Sequence, residues 1–373
     1  MSTNLMEASN QWATRPADQR FPNLDALIKS VQARRMLSRS IDIDTGKAHV
    51  DSREGMLTIN GTITPCEPTH WSFGQLSQSI GAPASYLRTL PQDLLVQNLN
   101  HGLKSNPAGE MKFMTIARED SPVNTLQAIT STTYGRIWDF DVCQAVGRIV
   151  ENSGGKFHNP LAYAHRGDPK GFASVDMSRT ERAGLYASDR DCFIFMIDGG
   201  SMLEAGPRAQ LNRGFFVWNS ETGSRSFGLM TFLFNHCCGN NIVWGASDIQ
   251  RRVIRHTSGG PYRFAAEAAP TLLAYANASA APIESAVKRA QEKVLWDGKE
   301  ATMPDLLEAL NKRAKFSRAE VTQAIAFAKA EEGEARTVWD FVQGFTAYAR
   351  GFDWIDARVD LETRAGKLMD LAA

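Results

Sequence analysis

The sequence predicts an α+β fold: a mixed body with hairpins and a mostly antiparallel sheet, followed by a helical C-terminal region. Alternating and apolar runs typical of strands lie before residue 263. After that residue the pattern is helical and alanine-rich, and Ser317 and Glu320 have the spacing of a capping box. The predicted regions are a flexible leader (1–20), an α+β body (21–262) with an irregular stretch at about 152–185, and a helical region (263–373).

The first part of the body combines helices with short strands. Apolar residues recur at helical spacing in some segments and alternate with polar residues in others. Asn60-Gly61, between two alternating runs, is typical of a tight hairpin turn. In chain order, we predict a helix over 21–36, hairpins over 40–51 and 56–65, an interrupted helix over 71–104, a strand over 111–119 and a helix over 139–152.

The second part of the chain begins with long apolar runs and ends with helices. The apolar runs after residue 185 predict the strands of a larger sheet, and a helix is predicted to follow the last of them. We predict strands over 191–198, 215–221, 226–238 and 241–246, a helix over 246–256, and further helices over 265–280, 285–295, 303–313, 318–331 and 337–352.

The composition excludes several classes of protein. Lys+Arg and Asp+Glu both total 41, so the net charge is zero, unlike that of a chromatin-type or an acidic disordered protein. No apolar run approaches the roughly 18 residues of a membrane span, and the polar N-terminus is unlike a signal peptide. We therefore expect a cytoplasmic protein with no membrane partner. Reduced, mostly buried thiols are expected for Cys66, Cys143, Cys192, Cys237 and Cys238.

One segment near the middle of the chain has a distinctive polar pattern. Asn219-Ser220 and Gly223 form a turn between two strands, and the following strand ends on Cys238-x-Asn240. Other short segments accompany this pattern along the chain. They are Gly81-Ala82-Pro83, Tyr86-Leu87 and Leu90-Pro91, then Ser131, Tyr134, Arg136 and Ile137, and finally Val342-Gln343-Gly344 with the run from Thr346 to Arg350.

Together these segments resemble the domain-of-unknown-function 932 family of phage- and plasmid-like proteins, in the family's order and over roughly residues 20–370. The resemblance implies that the protein originates from a phage, a prophage or a plasmid. It implies no particular reaction. Because similar proteins are found near recombination and replication genes, it suggests a role with nucleic acid.

A basic and aromatic region spans residues 201–263. It contains seven arginines, no lysine and three acidic residues, a local charge of +4 (7 − 3) in a neutral chain. Arginine suits bidentate phosphate contacts, and aromatic rings between arginines are typical of proteins that bind single-stranded nucleic acid. The aromatic residues that lie between these arginines include Phe215, Phe216, Trp218, Phe227, Trp244 and Tyr262.

Within this region we single out three arginines as the first candidates for a phosphate contact. On the predicted helix, Arg251, Arg252 and Arg255 share one face, where three like charges repel unless an anion is near. Further candidate nucleic-acid-binding residues are Arg213, Arg225 and Trp218, together with a second small group formed by Tyr134 and Arg136. The alternative for all of them is a structural role, with aromatic residues in the core and arginines on a solvated face.

Other motifs of the sequence give weaker signals. His236-Cys237-Cys238 contains metal-ligand residue types, but adjacent cysteines of a strand point to opposite faces. Asp44-Thr45-Gly46 occurs once, whereas aspartic-protease chemistry needs two such loops. No phosphate-binding loop of the P-loop or dinucleotide type is present. We therefore predict no metal, no cofactor and no catalytic residue.

The leading hypothesis is a mobile-element protein that binds nucleic acid, with single-stranded DNA favoured, in ATP-independent recombination, annealing or replication. A homo-oligomer is compatible with such a role. One alternative is a metal-dependent enzyme that uses His158, His165 and Asp168. Another is a host-takeover or counter-defence factor that binds a protein through its helical region.

Overall fold

The structure is a computed structural model, and it confirms the α+β class, with a helical C-terminal region. The predicted leader lies largely outside the described residues, as does most of the predicted irregular stretch. The structure describes residues 17–53, 56–60, 64–158, 185–199, 203–204, 210–235, 240–242, 251–297, 302–349, 351–352 and 355–372.

The N-terminal module, residues 38–131, is built on a six-stranded sheet. Its spatial order is β1-β5-β6-β4-β3-β2, and every neighbouring pair is antiparallel except β4 and β6. The strands are β1 (Ser38–Asp44), β2 (His49–Arg53), β3 (Met56–Asn60), β4 (Cys66–Pro68), β5 (Glu110–Ile116) and β6 (Asn124–Ser131).

Helices cover one face of this sheet. Phe73, Leu76, Leu99 and Leu103 are buried on the helices and pack against apolar residues of the strands, including Phe113. Helix α1 (Leu24–Leu37) precedes the first strand and packs against the second sheet, described below. The helices on the first sheet are α2 (His70–Ser79), α3 (Ala84–Leu87) and α4 (Gln92–Ser105). The predicted helical stretch over 71–104 is therefore three helices, with breaks at Gly81 and Pro91.

A second sheet of eight described strands forms the centre of the molecule. β11 lies between β9 and β12, and β14 pairs with β12 alone among the described strands. The strands are β7 (Phe157–His158), β8 (Leu185–Ala187), β9 (Cys192–Asp198), β10 (Leu203–Glu204), β11 (Gln210–Asn219), β12 (Phe227–Asn235), β13 (Asn240–Ile242) and β14 (Arg251–Ile254). Helix α5 (Asp139–Asn152) lies between the two sheets along the chain, and its bounds are those predicted from the sequence.

The two faces of the second sheet have different compositions because side chains alternate along each strand. One face packs aliphatic and aromatic residues against α1, α5 and later helices, with Ile194, Phe215 and Val217 at its centre. The other face is rich in aromatic residues. Its buried side chains are Tyr186, Phe193, Ile197, Phe216, Trp218, Met230 and Phe232.

The C-terminal region is helical, as predicted. It begins with α6 (Gly260–Arg263), which continues through a π-helical turn (Phe264–Ala268) into α7 (Ala269–Asn277). The capping box of Ser317 and Glu320 is present at the start of α10. The remaining helices are α8 (Ala281–Glu292), α9 (Met303–Ala314), α10 (Arg318–Glu331), α11 (Val338–Ala349) and α12 (Ile355–Gly366). Their core includes Trp339 and Phe345.

Two sequence predictions about the body are wrong. Residues 40–51 form no hairpin, because β1 pairs with β5 and β2 with β3, at opposite edges of the first sheet. The segment Arg251–Ile254 is a strand rather than part of a helix, because it pairs with β12 and buries Ile254 opposite Phe227. Within the described residues, no helix is long and apolar enough to cross a membrane.

Candidate nucleic-acid interface

A buried charge cluster lies where the two sheets meet, and it contains one of the predicted site residues. Its members are Arg34, Arg136, Asp139, Asn219 and Glu221. The Arg136 guanidinium forms an ion pair with Glu221, with Nε donating to Oε2 at 2.8 Å, and lies 3.8 Å from the centroid of the Trp138 ring. Arg136 is therefore held inside the protein.

Asp139, the first residue of α5, completes this cluster. Its carboxylate accepts from Arg34 at 2.6 Å and from the Asn219 side-chain amide at 2.7 Å, while its backbone N–H donates to Glu221 at 2.7 Å. Burial and the neighbouring Glu221 carboxylate raise the pKa of Asp139 to about 7, against the opposing effect of Arg34. Two guanidinium groups and two carboxyl groups thus share one water-excluded site.

The turn from Asn219 to Gly223 connects the second sheet to the N-terminal module. The Thr222 carbonyl accepts hydrogen bonds from Trp71 Nε1 and Gln75 Nε2 of α2, both at 3.0 Å. Gly223 has φ of +83°, a backbone conformation that favours glycine. The turn is therefore held by a backbone conformation suited to glycine and by hydrogen bonds from α2.

Arg213, another predicted site residue, joins the second sheet to the end of α7. Its Nε donates to Asp198 at 3.0 Å, and its terminal nitrogens donate to the carbonyls of Tyr275, Ala276 and Ala278. The side chain is 9% exposed. A cation at the C-terminus of a helix satisfies carbonyl groups that have no partner within the helix.

Trp218 and Arg225 are buried around the aromatic face of the second sheet. Trp218 packs against Phe216, with ring centroids 5.3 Å apart. Arg225 lies 5.1 Å from the centroid of the Phe193 ring, and its Nε is 3.7 Å from Asp191 Oδ2. Trp218 and Arg225 therefore have structural partners, as do Arg136 and Arg213.

The basic edge is the exposed surface formed by Arg252, Val253, Arg255, Tyr262 and Arg263. Tyr262 is 77% exposed and Val253 is 42% exposed. Arg263 forms an exposed ion pair with Glu267, whereas Arg252 and Arg255 form no ion pair or hydrogen bond through their side chains within the described part of the chain. The side chain of Arg251 lies outside what the structure describes.

The predicted nucleic-acid-binding residues therefore lie in two different environments, the surface and the interior. The structure places Arg252 and Arg255 together on the surface, although on a strand and its continuation rather than on a helix. It places Arg136, Arg213, Arg225 and Trp218 inside the protein. Tyr134, half-buried, donates its hydroxyl hydrogen to the Ser220 carbonyl at 3.0 Å.

Sequence reasoning missed the residues that complete the charge cluster and those that contact Tyr134. From the sequence alone, Glu221 is one of three acidic residues in a basic region and Asp139 is the first residue of a predicted helix, while Arg34 and His256 have no predicted role. Asp139 directly after a Tyr-Gly-Arg-x-Trp run was the available signal, since an acid at a helix start often has a local partner.

The remaining sequence candidates do not form a site within the described chain. Asp44 accepts from the Gly46 amide in a 3₁₀ turn. Cys143 and Cys192 are buried with sulfur atoms 3.9 Å apart; the hydrogen bond between them and burial raise the pKa of the Cys192 thiol. No group of three or more His, Cys, Asp or Glu among the described residues could hold a metal ion. The His158 side chain, His165, Asp168 and the run 236–238 lie outside the described residues.

Comparison with known proteins identifies a family for this chain. The sequence matches the model of one family, a domain of unknown function (DUF932), over residues 131–359, which is more than half of its length. The matched region contains the 219–223 turn, most of the buried charge cluster and the basic edge. A comparison with curated proteins finds no match, and a comparison with solved structures finds none either. The resemblance seen in the sequence is thus confirmed, and the chain belongs to the DUF932 family.

Proposed function

We propose that this protein binds nucleic acid, with single-stranded DNA favoured, at the basic edge and without ATP. The observation that carries the proposal is the exposure of Arg252, Arg255 and Tyr262 on consecutive elements, with no side-chain ion pair or hydrogen bond to any other described residue. In the same chain, Arg136, Arg213 and Arg225 all have internal ion pairs. Cations without such partners favour an external anion.

The groups of the basic edge suit a flexible, unpaired strand. Guanidinium groups bind phosphate oxygens in bidentate geometry, and an exposed phenol ring offers a face on which one base can stack. The base of a single strand is free to stack, whereas the bases of a duplex are already stacked on each other. The exposed ring of Tyr262 therefore favours single-stranded nucleic acid over a duplex.

The other predicted site residues have a supporting role in this proposal. Arg213 and Trp218 stabilise the second sheet, to which β14 is attached through β12. Within a mobile-element setting, such binding would serve recombination, annealing or replication, which need protein to cover exposed single strands. Annealing would also require several copies to act together, so a homo-oligomer belongs to the proposal.

The test is fluorescence anisotropy of a labelled single-stranded oligonucleotide titrated with protein at several salt concentrations. We compare wild type with the variant Arg252→Gln/Arg255→Gln/Tyr262→Ala. The wild type should bind, and its affinity should fall as salt rises. The triple variant should lose at least ~10-fold in affinity, since it loses two phosphate contacts and one stacked base.

A matched control separates this surface from overall charge. Lys312→Gln/Arg318→Gln removes the same charge from exposed positions on α9 and α10, and it should leave binding unchanged. Equal losses in both variants would overturn the basic edge as the binding surface. Absence of binding by the wild type at low salt would overturn the proposed function. Competition with duplex DNA and with single-stranded RNA tests the preference for single-stranded DNA.

A further inference from the structure

His256 follows Arg255 directly, and its side chain turns inward from the basic edge. The imidazole ring stacks on the ring of Tyr134, with centroids 5.0 Å apart and planes 7° from parallel. Its Nδ1 lies 3.1 Å from the Gly135 carbonyl, while the Gly135 N–H donates to the His256 carbonyl at 3.0 Å. Side chain and backbone of His256 are thus both attached to one short segment.

Gly135 allows this close approach. A Cβ atom at position 135 would lie 2.0 Å from the Thr257 carbonyl oxygen and 2.8 Å from Pro261 Cδ. Real Cβ atoms do not approach other heavy atoms so closely, so the position requires glycine. The contact reaches both sides of the turn that separates Arg255 from Tyr262, because Thr257 lies before the turn and Pro261 after it.

Tyr134 is anchored in turn on both sheets. Its hydroxyl donates to the Ser220 carbonyl at 3.0 Å, in the turn that follows β11. Its own carbonyl accepts from Lys112 Nζ of β5 at 3.2 Å, and Lys112 also donates to Thr132 at 2.9 Å. The segment that holds His256 is therefore fixed to the two rigid parts of the molecule.

We propose that Tyr134, Gly135 and His256, here called the clasp, are positioning residues that hold the basic edge in the geometry that binds nucleic acid. The inference rests on the proposed function, and it gives Tyr134 a role through His256 instead of a direct contact. Burial lowers the pKa of His256 to about 4, so the imidazole is neutral near pH 7. A neutral, inward-facing ring is suited to positioning and not to pairing with a phosphate.

The clasp reduces the entropy that binding would otherwise cost. Arginine and tyrosine side chains on a mobile strand must be ordered when a ligand binds, at a cost of about 0.5–1.5 kcal/mol per side chain, equivalent to about a 2- to 13-fold loss in affinity for each. A strand already fixed by stacking and hydrogen bonds avoids part of that loss. Removing the clasp should therefore weaken binding without removing any group that touches the ligand.

The experiment combines hydrogen exchange with DNA binding on four variants of the full chain: Tyr134→Ala, Tyr134→Phe, His256→Ala and His256→Asn. Tyr134→Phe keeps the stacked ring and His256→Asn keeps a donor for the Gly135 carbonyl. In the two alanine variants, peptides covering 251–263 should exchange ~10-fold faster, while peptides from α10 and α11 stay unchanged. Their affinity for single-stranded DNA should fall ~3- to 10-fold, and the conservative variants should recover most of both losses.

The salt dependence distinguishes positioning from direct contact. The slope of log K against log salt should stay at the wild-type value in Tyr134→Ala, because no phosphate contact is removed. In Arg255→Gln it should become shallower by about 0.7, the effect of one contact on a single strand. A slope in Tyr134→Ala that falls as in Arg255→Gln would overturn the positioning role in favour of direct contact.

Other outcomes also decide the inference. Faster exchange over the whole molecule, or fast exchange at 251–263 with unchanged affinity, would overturn it. If the wild type binds no DNA, the proposed function fails and the binding role of the clasp fails with it. In that case the exchange data still show whether Tyr134 and His256 fix the basic edge, so the two failures are distinguishable.

Discussion

Glu221 is a single buried residue whose charge is compensated by its neighbours in the folded protein. Its side chain is 6% exposed and accepts hydrogen bonds from the Arg136 guanidinium and from the Asp139 backbone. Removing one member of a buried ion pair leaves the other charge without compensation, which typically costs about 3–5 kcal/mol. We therefore expect Glu221→Gln to lower the free energy of unfolding by about that amount, measured by urea denaturation.

An exposed ion pair provides the control for this prediction. Glu67 pairs with Arg118 at 3.2 Å, and both side chains are at least one-third exposed. Glu67→Gln is the same chemical change, and it should cost less than about 1 kcal/mol because water screens the pair. Equal effects of the two substitutions would contradict the view that Glu221 acts through burial.

Asp139 and His256 should give the stability of the protein opposite dependences on pH. The folded pKa of Asp139 is about 7, above its ordinary value of 3.8, so the folded state binds its proton more tightly. The resulting contribution to the free energy of unfolding is complete below about pH 4 and is lost as pH rises through 7. The folded pKa of His256 is about 4, below its ordinary value of 6.5, so its contribution is complete above pH 6.5 and is lost as pH falls towards 4.

The two effects nearly cancel between pH 4 and 6.5 in the wild type, and single substitutions should reveal each. Asp139→Asn leaves the histidine effect, so the free energy of unfolding should rise with pH across this range. His256→Asn leaves the carboxyl effect, so stability should fall with pH. Each slope is at most about 1.4 kcal/mol per pH unit. Urea midpoints measured from pH 4 to 8 test this, and identical pH profiles for both variants would refute it.

The sequence alone does not show which arginines are buried and paired with an acid. Arg213, Arg225 and Arg255 have the same side chain and lie in the same arginine-rich region of the sequence. What separates them is burial and the presence of an acid, Asp198 or Asp191, brought near by strand pairing. Those partners are contributed by other strands or loops, so charge counting along the sequence gives no means of sorting the three.

At the scale of elements, β14 is the clearest departure from the sequence prediction. Arg251, Arg252 and Arg255 have helical spacing, but the same five residues also contain the β-branched pair Val253-Ile254. The segment is a strand because it pairs with β12. Arg251–Ile254 lies along the edge of β12, and Phe227 of that strand is opposite Ile254. Helix α5, in contrast, has a strong apolar stripe of its own, and its bounds were predicted from the sequence.

Gly228 provides a test of the packing that holds β12 in register. It lies opposite Trp218 on β11, and a Cβ atom there would be 1.9 Å from the indole ring. Gly228→Ala should therefore force Trp218 to move and lower the free energy of unfolding by about 1–3 kcal/mol. Adding Trp218→Leu should make the alanine tolerable, so the double variant should lose less than the sum of the single changes, as measured by a double-mutant cycle.

At a second glycine, the same substitution to alanine should change the free energy of unfolding in the opposite direction. Gly74 lies inside helix α2, and a Cβ atom there would be 3.8 Å from its nearest neighbour, an ordinary contact. Gly74→Ala should raise the free energy of unfolding by about 0.5–1 kcal/mol, because alanine favours the helix. Destabilisation of similar size at both positions would contradict the view that free space around the new Cβ decides the sign of the effect.

For the molecule as a whole, the family and the division into an α+β body and a helical C-terminal region were accessible to sequence reasoning, but the strand pairing was not. β1 and β2 are separated by only four residues and lie at opposite edges of one sheet. Short loops usually join neighbouring strands, so the hairpin was the expected result. The observed order depends on β5 and β6, which enter the sheet between them after three helices.

The balanced charge of the whole molecule conceals a positive electrostatic potential at the basic edge. The chain has zero net charge, yet the basic edge carries three exposed arginines, and among the described residues Glu267 is the carboxylate that pairs with one of them. The pKa of Glu267 is lowered by its hydrogen bond with Arg263 and, more weakly, by Arg252. Glu267 therefore reduces the positive potential that a phosphate would meet.

Glu267→Gln should strengthen binding of single-stranded DNA by ~2- to 5-fold at low salt, and the gain should shrink as salt rises, because screening weakens contributions from exposed charges. Glu308→Gln, an exposed position on α9, changes the net charge equally and should have no such effect. Equal gains in both variants would mean that DNA responds to net charge alone. A gain that is confined to Glu267→Gln and persists at ~0.1 M salt would locate the bound phosphates at the basic edge, since at that ionic strength the field of one carboxylate extends only about 10 Å.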